Sequence, residues 1–181
     1  NAGTVRSLFL EAPVNDMYNL LQLVAYPTDR LAYAALLRSP LVSLSDDSMV
    51  SIMLADAAPS DVPEGVALPT ADREKLAHGA ALYRDVASLA DLVPPARLVS
   101  RIWYDWGYRE MLLSDPRYHA YLEHYDYFHE LAMRYTGRPL VAFLDEIRPL
   151  MGTYERIPDL EVLGREETGV QILTIHKSKG L

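Results

Sequence analysis

The chain has 181 residues, half of them hydrophobic, and a formal net charge of −8 at pH 7. This length and composition predict one folded domain, or one domain with a fragment of another. The negative charge argues against a domain whose whole surface binds nucleic acid, and the absence of cysteine excludes disulfides and thiolate metal sites. The sequence has no signal peptide and no apolar run of membrane-spanning length, so we expect a cytoplasmic protein without a membrane partner.

Three helices are predicted in the first part of the chain. Apolar residues recur at helical spacing from Pro13 until Pro27 ends the first helix. Thr28 is expected to cap the second helix, and Pro40 to end it, because the residue before a proline is disfavoured in the α region. Ser45 is expected to cap a third, short helix.

The middle of the chain combines an acidic loop with two further helices. Residues 57–69 hold three prolines and a glycine among acidic residues and are predicted to form an exposed loop or lid. Thr70 is expected to cap a long helix that runs to Leu92. The pair Pro94-Pro95 then opens a helix that Gly107 closes.

An aromatic stripe follows at helical spacing, with Tyr121, Tyr125 and Phe128 among its members, and ends at Gly137. Such a stripe could stack on the bases of single-stranded DNA. Amphipathic helices more often use these residues as core, and we favour the core interpretation.

Three histidines on the same predicted helix invite a metal interpretation. His119, His124 and His129 follow one another at five-residue intervals, and on a helix this spacing turns each side chain about 140° from the last. Side chains so arranged cannot converge on one ion, so we expect no zinc site.

The last predicted helix begins at Pro139 and is expected to turn Val141, Leu144 and Ile147 toward the core. Two tryptophans on an earlier helix, Trp103 and Trp106, are likewise interpreted as packing residues.

The end of the chain has a different character. Residues 170–175, Val-Gln-Ile-Leu-Thr-Ile, are mostly apolar or β-branched, which is typical of a short strand buried on both faces in a parallel sheet. Residues 176–180, His-Lys-Ser-Lys-Gly, place hydrogen-bond donors and positive charge at the carboxyl end of this strand. Open α/β sheets bind their ligands at that end.

Residues 174–181, Thr-Ile-His-Lys-Ser-Lys-Gly-Leu, resemble motif V of the UvrD/Rep-like superfamily 1 DNA helicases, in the form typical of the AddA/RecB (exodeoxyribonuclease V) helicase-nuclease branch. The family's motif continues into a Glu, whereas this chain stops at Leu181. Three earlier segments resemble the start of the 2B subdomain in that branch: Asn-Asp-Met at residues 15–17, Tyr-Pro-Thr-Asp at 26–29 and Leu-Leu-Arg-Ser-Pro-Leu at 36–41. Tyr26 stands where the family usually has Asn.

This resemblance implies a mainly α fold. Residues 1–167 would form a helical 2B-like subdomain. Residues 168–181 would be the motif V strand and loop of a truncated RecA-like 2A domain. The chain would then be a fragment that spans the 2B subdomain to motif V.

The resemblance also implies which residues carry function. Thr174, His176 and Lys177 would contact the DNA single strand, and Lys179 and Gly180 would lie near the nucleotide. A hydroxyl, an imidazole and ammonium groups at a strand end suit contacts to phosphates and base edges. Residues 164–169 have the glycine spacing of a phosphate loop, but Val and Gln follow where Lys and Ser or Thr are required. We therefore expect no catalytic residue and no metal ligand in this chain.

The function implied by the resemblance is that of a larger parent protein, an ATP-dependent DNA helicase of the helicase-nuclease kind that acts in unwinding and double-strand break repair. The parent would use ATP and Mg²⁺, act on single-stranded and duplex DNA, and pair with a second helicase-nuclease subunit. The fragment alone is expected to be inactive and to hold no cofactor. A competing hypothesis is an all-α protein-interaction module without nucleotide or DNA binding, which the acidic charge favours and the His-Lys-Ser-Lys-Gly sequence disfavours.

Overall fold

The computed structural model describes residues 13–116 and 122–150, without the side chains of residues 122 and 123. The helices in these ranges are α1 (Val14–Ala25), α2 (Arg30–Arg38), α3 (Asp46–Leu54), α4 (Thr70–Leu89), α5 (Pro95–Ser100), α6 (Tyr108–Leu113), α7 (Leu122–Met133) and α8 (Leu140–Ile147). A π-helical turn, Arg101–Asp105, continues α5, and a 3-10 turn, Arg148–Leu150, follows α8. Every regular element in these ranges is helical, which confirms the mainly α fold; the predicted C-terminal strand lies outside them.

The first two helices end where proline predicts, but two of the expected caps, Thr28 and Thr70, are wrong. Asp29, not Thr28, caps α2, because its carboxylate accepts a hydrogen bond from the Ala32 backbone N–H at 3.0 Å. Ser45 caps α3 as predicted. Thr70 is the first residue of α4 and gives no side-chain cap, and that helix ends at Leu89 rather than Leu92.

The core is centred on α1, which packs against α2, α4, α7 and α8. Two faces of α1 are buried, since Met17, Leu20 and Leu23 are all inaccessible to solvent. A helix covered this way cannot form without its neighbours, because its stability comes from tertiary packing.

The turn Arg101–Asp105 departs from the α-helix expected after Pro94-Pro95. The Trp106 backbone N–H bonds to the Arg101 carbonyl at 3.0 Å, five residues back. Gly107 then ends the helix as predicted, with φ at 68°, a left-handed conformation that glycine adopts without strain. The wider turn accompanies a stack of Trp103 on Tyr125, whose ring centroids are 4.4 Å apart.

The loop at residues 57–69 is irregular, as predicted, but it is not a free lid. Val62, Val66 and Leu68 are partly buried against the core. Arg73 of α4 donates a hydrogen bond to the Val66 carbonyl at 2.8 Å, and Arg84 donates one to the Ser60 carbonyl. The prediction of an exposed loop is confirmed, since none of these residues is fully buried. Apolar contacts and two arginines of α4 hold the loop in place.

The inward face of α8 differs by one position from the prediction. Leu144 and Ile147 are buried as expected, but Val141 is 38% exposed and Leu140 takes the inward position. Leu140, Leu144 and Ile147 share one face at a spacing of four and three residues, and Val141 lies outside that stripe.

Candidate functional site

The site residues inferred from the sequence lie outside the described part of the chain. Thr174, His176 and Lys177, expected to contact DNA, and Lys179 and Gly180, expected near the nucleotide, all fall beyond residue 150. Their roles therefore stay predictions. The described residues instead hold the earlier segments on which the family resemblance rests.

The turn at residues 26–29 joins three helices. Asp29 caps α2 and also accepts a hydrogen bond from the Gln22 side-chain amide of α1 at 3.1 Å. The Arg148 guanidinium after α8 lies over the Tyr26 ring, 5.4 Å from its centroid. The hydrogen bond from the Ala32 backbone, with a smaller contribution from Gln22, lowers the pKa of Asp29 below its ordinary value. Tyr26 thus supplies a ring for the Arg148 cation.

The second family-like segment, residues 36–41, ends α2 and turns the chain into the core. The Ser39 hydroxyl donates to the Leu36 carbonyl at 2.8 Å, and Leu41 is 2% exposed. Arg38 is exposed on the last turn of α2, where a cation is favoured by the helix dipole. These contacts show that the segment stabilises the end of α2, so we assign it no catalytic or binding role.

A cleft of about 550 Å³ opens beside the N-terminus of α2. Its lining is mostly apolar and includes Pro27, Tyr33, Pro59 and Tyr83. Burial raises the pKa of Tyr33 to about 12, and within the described part of the chain its hydroxyl has no hydrogen-bond partner. Arg30 is the cation at the cleft, and its guanidinium is already bonded to Asp56 at 2.6 Å and to the Met53 carbonyl. Among the described residues, the cleft therefore offers no cation without a partner to a phosphate.

A buried carboxyl, Asp16, lies inside the core on α1. Its Oδ2 accepts a hydrogen bond from the Tyr108 hydroxyl of α6 at 2.5 Å, and both residues are buried. Burial raises the pKa of Asp16 to about 6, and the hydrogen bond from Tyr108 opposes part of that rise. The pair joins residues 92 positions apart, so no local sequence pattern could have identified it.

Two further aspartates hold α4 to its neighbours. Asp72 accepts hydrogen bonds from the hydroxyls of Ser45 and Ser48 at 2.5 and 2.6 Å, and these bonds lower its pKa to about 2. Asp85 accepts two bonds from the Arg101 guanidinium at 2.6 and 2.8 Å. The Trp106 indole donates a third, at 2.7 Å. Both carboxylates are fully engaged by structural partners, which argues against acid–base chemistry.

The aromatic stripe is core where the structure describes it. Tyr125 is 5% exposed and Phe128 is inaccessible to solvent, which confirms the packing interpretation for these residues. Tyr121 lies outside the described residues. Trp103 is buried, and Trp106 packs on the core and against Asp85, as predicted.

The metal prediction can be examined for only part of the histidine series, because His119 lies outside the described ranges. Within the part of the chain that the structure describes, no three histidine or carboxylate side chains are grouped as a metal site. None of the helices there is long and apolar enough to cross a membrane.

Comparison with known proteins extends the resemblance over nearly the whole chain. The AddA-type ATP-dependent helicase/nuclease subunit of Lysinibacillus sphaericus is 28% identical over 194 aligned residues, which cover 99% of this chain. Proteins of the same name from Bacillus mycoides and Thermoanaerobacter pseudethanolicus are 25% and 23% identical over 99% of the chain. No family model matches the sequence.

The chain spans about 15% of the length of these curated relatives. The similarity thus supports a fragment of an AddA-type helicase, as the motifs in the sequence indicate.

Proposed function

We propose, from this similarity to AddA-type helicase/nuclease proteins, that the chain is the 2B-like and motif V segment of an ATP-dependent DNA helicase. The parent protein would unwind DNA in double-strand break repair. The observation that carries the proposal is the alignment over 99% of the chain, and the eight positions at residues 174–181 that resemble motif V support it.

The DNA contact is assigned to the end of the chain. The Thr174 hydroxyl, the His176 imidazole and the Lys177 ammonium bind the phosphates and base edges of the translocated single strand. Lys179 and Gly180 lie next to the nucleotide and link it to the DNA contact. The charge distribution supports a local contact, because residues 39–72 contain six acidic residues and no lysine or arginine.

The helical part would orient duplex DNA or a partner subunit. Helices α1, α2, α4, α7 and α8 pack on one another around a shared core, so we expect residues 13–150 to move as a rigid body when the parent changes conformation. A second helicase-nuclease subunit is the partner that we propose, and the cytoplasm is the compartment.

ATP and Mg²⁺ belong to the proposal for the parent protein. The described residues of this chain do not fit either group, since the cation at the cleft is already bonded to Asp56. The buried carboxylates of Asp16 and Asp72 are engaged by hydroxyl donors, and the half-buried Asp85 by indole and guanidinium donors. Binding of the nucleotide phosphates is therefore assigned to parts of the parent other than residues 13–150, and no step of hydrolysis is assigned to them.

A second candidate is the all-α protein-interaction module without nucleotide or DNA binding. The observation in its favour is that several large apolar side chains of the helical part are exposed, including Leu31 at 80% and Leu54 at 82%. The two candidates differ in what they expect of His176, because only the helicase needs its imidazole.

The test is strand displacement by the longer protein that carries this segment, with His176→Ala compared with wild type. We expect His176→Ala to lower the unwinding rate tenfold or more, because it removes one hydrogen bond to a charged phosphate. We expect its thermal midpoint to equal that of wild type. His78→Ala, on an exposed position of α4, is the matched control and keeps full activity. Equal unwinding by His176→Ala and wild type would remove the helicase assignment of this residue and favour the interaction module.

A further inference from the structure

Helix α3 is apolar on both sides. Its inner side places Ile52 in the core, and Met49 and Met53 pack partly against it. Its outer side carries Val50 and Leu54, which are 52% and 82% exposed. An amphipathic surface helix usually turns its apolar residues toward the core, whereas α3 leaves Val50 and Leu54 uncovered by the described residues.

The outer side of α3 also carries two carboxylates. Asp46 and Asp47 lie in the first turn and are exposed. Helical spacing puts Asp47, Val50 and Leu54 in one stripe, at positions i, i+3 and i+7. We call the outward residues Asp46, Asp47, Val50 and Leu54 the α3 face.

The basic residues at the two ends of the α3 face already have bonding partners. Lys75, near its N-terminal end, is bonded to the Ser43 carbonyl at 2.9 Å and lies 3.5 Å from Asp72. Arg30, near its C-terminal end, is bonded to Asp56 and to the Met53 carbonyl. Neither Asp46 nor Asp47 forms an ion pair with a described residue, so their charge is available to a partner.

Neighbouring α2 adds a third exposed leucine. Leu31 follows Arg30, whose guanidinium reaches the C-terminal end of α3, and it is 80% exposed. Exposed apolar side chains on two helices that pack together, with carboxylates on one of them that form no ion pair with a described residue, resemble an interaction surface with an apolar centre and a polar rim.

We propose that the α3 face docks a basic amphipathic helix of a protein partner. Its apolar side chains would cover Val50 and Leu54, and its lysines or arginines would pair with Asp46 and Asp47. Charge complementarity favours this occupant, because a second copy of the chain that paired through the same face would set these carboxylates against each other, and nucleic acid would set them against phosphates. This surface lies on the helical part and does not depend on the DNA contact proposed for residues 174–177.

The test uses the full chain and a synthetic helix-forming peptide with leucines on one side and lysines on the other. Val50→Ser/Leu54→Ser removes the apolar centre, and we expect the Kd for this peptide to rise at least tenfold. Asp46→Asn/Asp47→Asn is expected to raise the Kd severalfold and to make binding less sensitive to salt. Fluorescence anisotropy measures both, and circular dichroism confirms that the variants are folded.

The chain offers a matched control in Asp91 and Leu92, an adjacent pair that is exposed on another part of the surface, Leu92 at 76%. Asp91→Asn and Leu92→Ser should bind the peptide as wild type does. The proposal is overturned if wild type does not bind, if the α3 variants bind as well as wild type, or if the control variants lose as much affinity.

Two further probes separate the other occupants. The first probe is a peptide with glutamates in place of the lysines, and the basic partner is overturned if it binds as tightly as the lysine peptide. The second probe is a single-stranded oligonucleotide, and the basic partner is overturned if wild type binds it and the Val50→Ser/Leu54→Ser variant does not. Sedimentation measures the oligomeric state. If wild type is a dimer and the Val50→Ser/Leu54→Ser variant is a monomer, the α3 face binds a second copy of the chain and the proposal is overturned.

Discussion

The buried carboxyl of Asp16 should make the stability of this protein depend on pH in an unusual direction. Its pKa is raised from the ordinary 3.8 to about 6 by burial, so the folded state holds the proton more tightly than the unfolded state does. The free energy of unfolding therefore falls as pH rises through about 6. The substitution Asp16→Asn keeps an acceptor for the Tyr108 hydroxyl, carries no charge at any pH and should remove this dependence.

The size of the effect follows from the pKa. The rise from 3.8 to about 6 corresponds to about 3 kcal/mol, lost between about pH 4 and pH 7. Relative to wild type, Asp16→Asn should gain about 1 kcal/mol near pH 4.5 and about 3 kcal/mol near pH 7.5. For a chain of this length the difference amounts to roughly 6–12 °C in the thermal midpoint.

The assay is urea unfolding of wild type and Asp16→Asn at several pH values between 4.5 and 7.5. Asp72, with its pKa lowered to about 2, does not interfere, because the stability that it contributes is lost only as pH falls below about 4. Tyr108→Phe is a useful companion, since it leaves Asp16 without its donor and should destabilise the fold at pH 7 by about 1–3 kcal/mol. Parallel stability curves for wild type and Asp16→Asn over this range would refute the account of Asp16.

Other predictions concern packing, an ion pair, the domain boundary and DNA. Gly79→Ala should destabilise by about 1–3 kcal/mol, because the added Cβ would lie 2.7 Å from Val42 Cγ2; Val42→Ala should restore part of the loss in the double variant, and an additive melt would contradict the clash. Asp85→Ala should cost about 1–3 kcal/mol by leaving Arg101 and Trp106 unpaired, whereas Asp91→Ala should be near neutral; equal effects would show that the Asp85 network does not stabilise the fold. A chain ending at residue 167 should keep the helical circular dichroism and melting temperature of the 181-residue chain, and unfolding of the helices would place the boundary elsewhere. The 181-residue chain should bind single-stranded DNA weakly, with steep loss of affinity in salt; tight binding in high salt would argue against a purely local contact.

Local chemistry allowed much of the fold to be predicted from the sequence. Pro27 and Pro40 follow the ends of α1 and α2, and Ser45 caps α3, because these effects depend on a few adjacent residues. The buried residues of α4, including Leu76 and Val86, recur at the spacing of an amphipathic helix.

The missed features depend on contacts between distant residues. The π-helical turn at Arg101–Asp105 accompanies the stack of Trp103 on Tyr125, and the fixing of the loop at residues 57–69 requires Arg84 to reach the Ser60 carbonyl. Neither contact leaves a signal in a short window of sequence. Val141 was misplaced because a short apolar helix allows two neighbouring positions to be chosen as the inward one.

The DNA assignment could be made from the sequence because residues 174–181 form an ordered run of distinctive residue types. The α3 face could not, since Val50 and Leu54 look like core residues until their exposure is known. Asp46 and Asp47 similarly look like ordinary residues of a helix N-terminus.

The central claim, that the end of this chain contacts single-stranded DNA, is tested most directly by photo-crosslinking. A photoreactive amino acid is placed at position 176 of the segment within the longer protein, and at position 78 as an exposed control on α4. We predict that a bound single-stranded oligonucleotide crosslinks at position 176 and not at position 78. Crosslinking at position 78 with equal yield, or none at position 176 while the oligonucleotide is bound, would contradict the account.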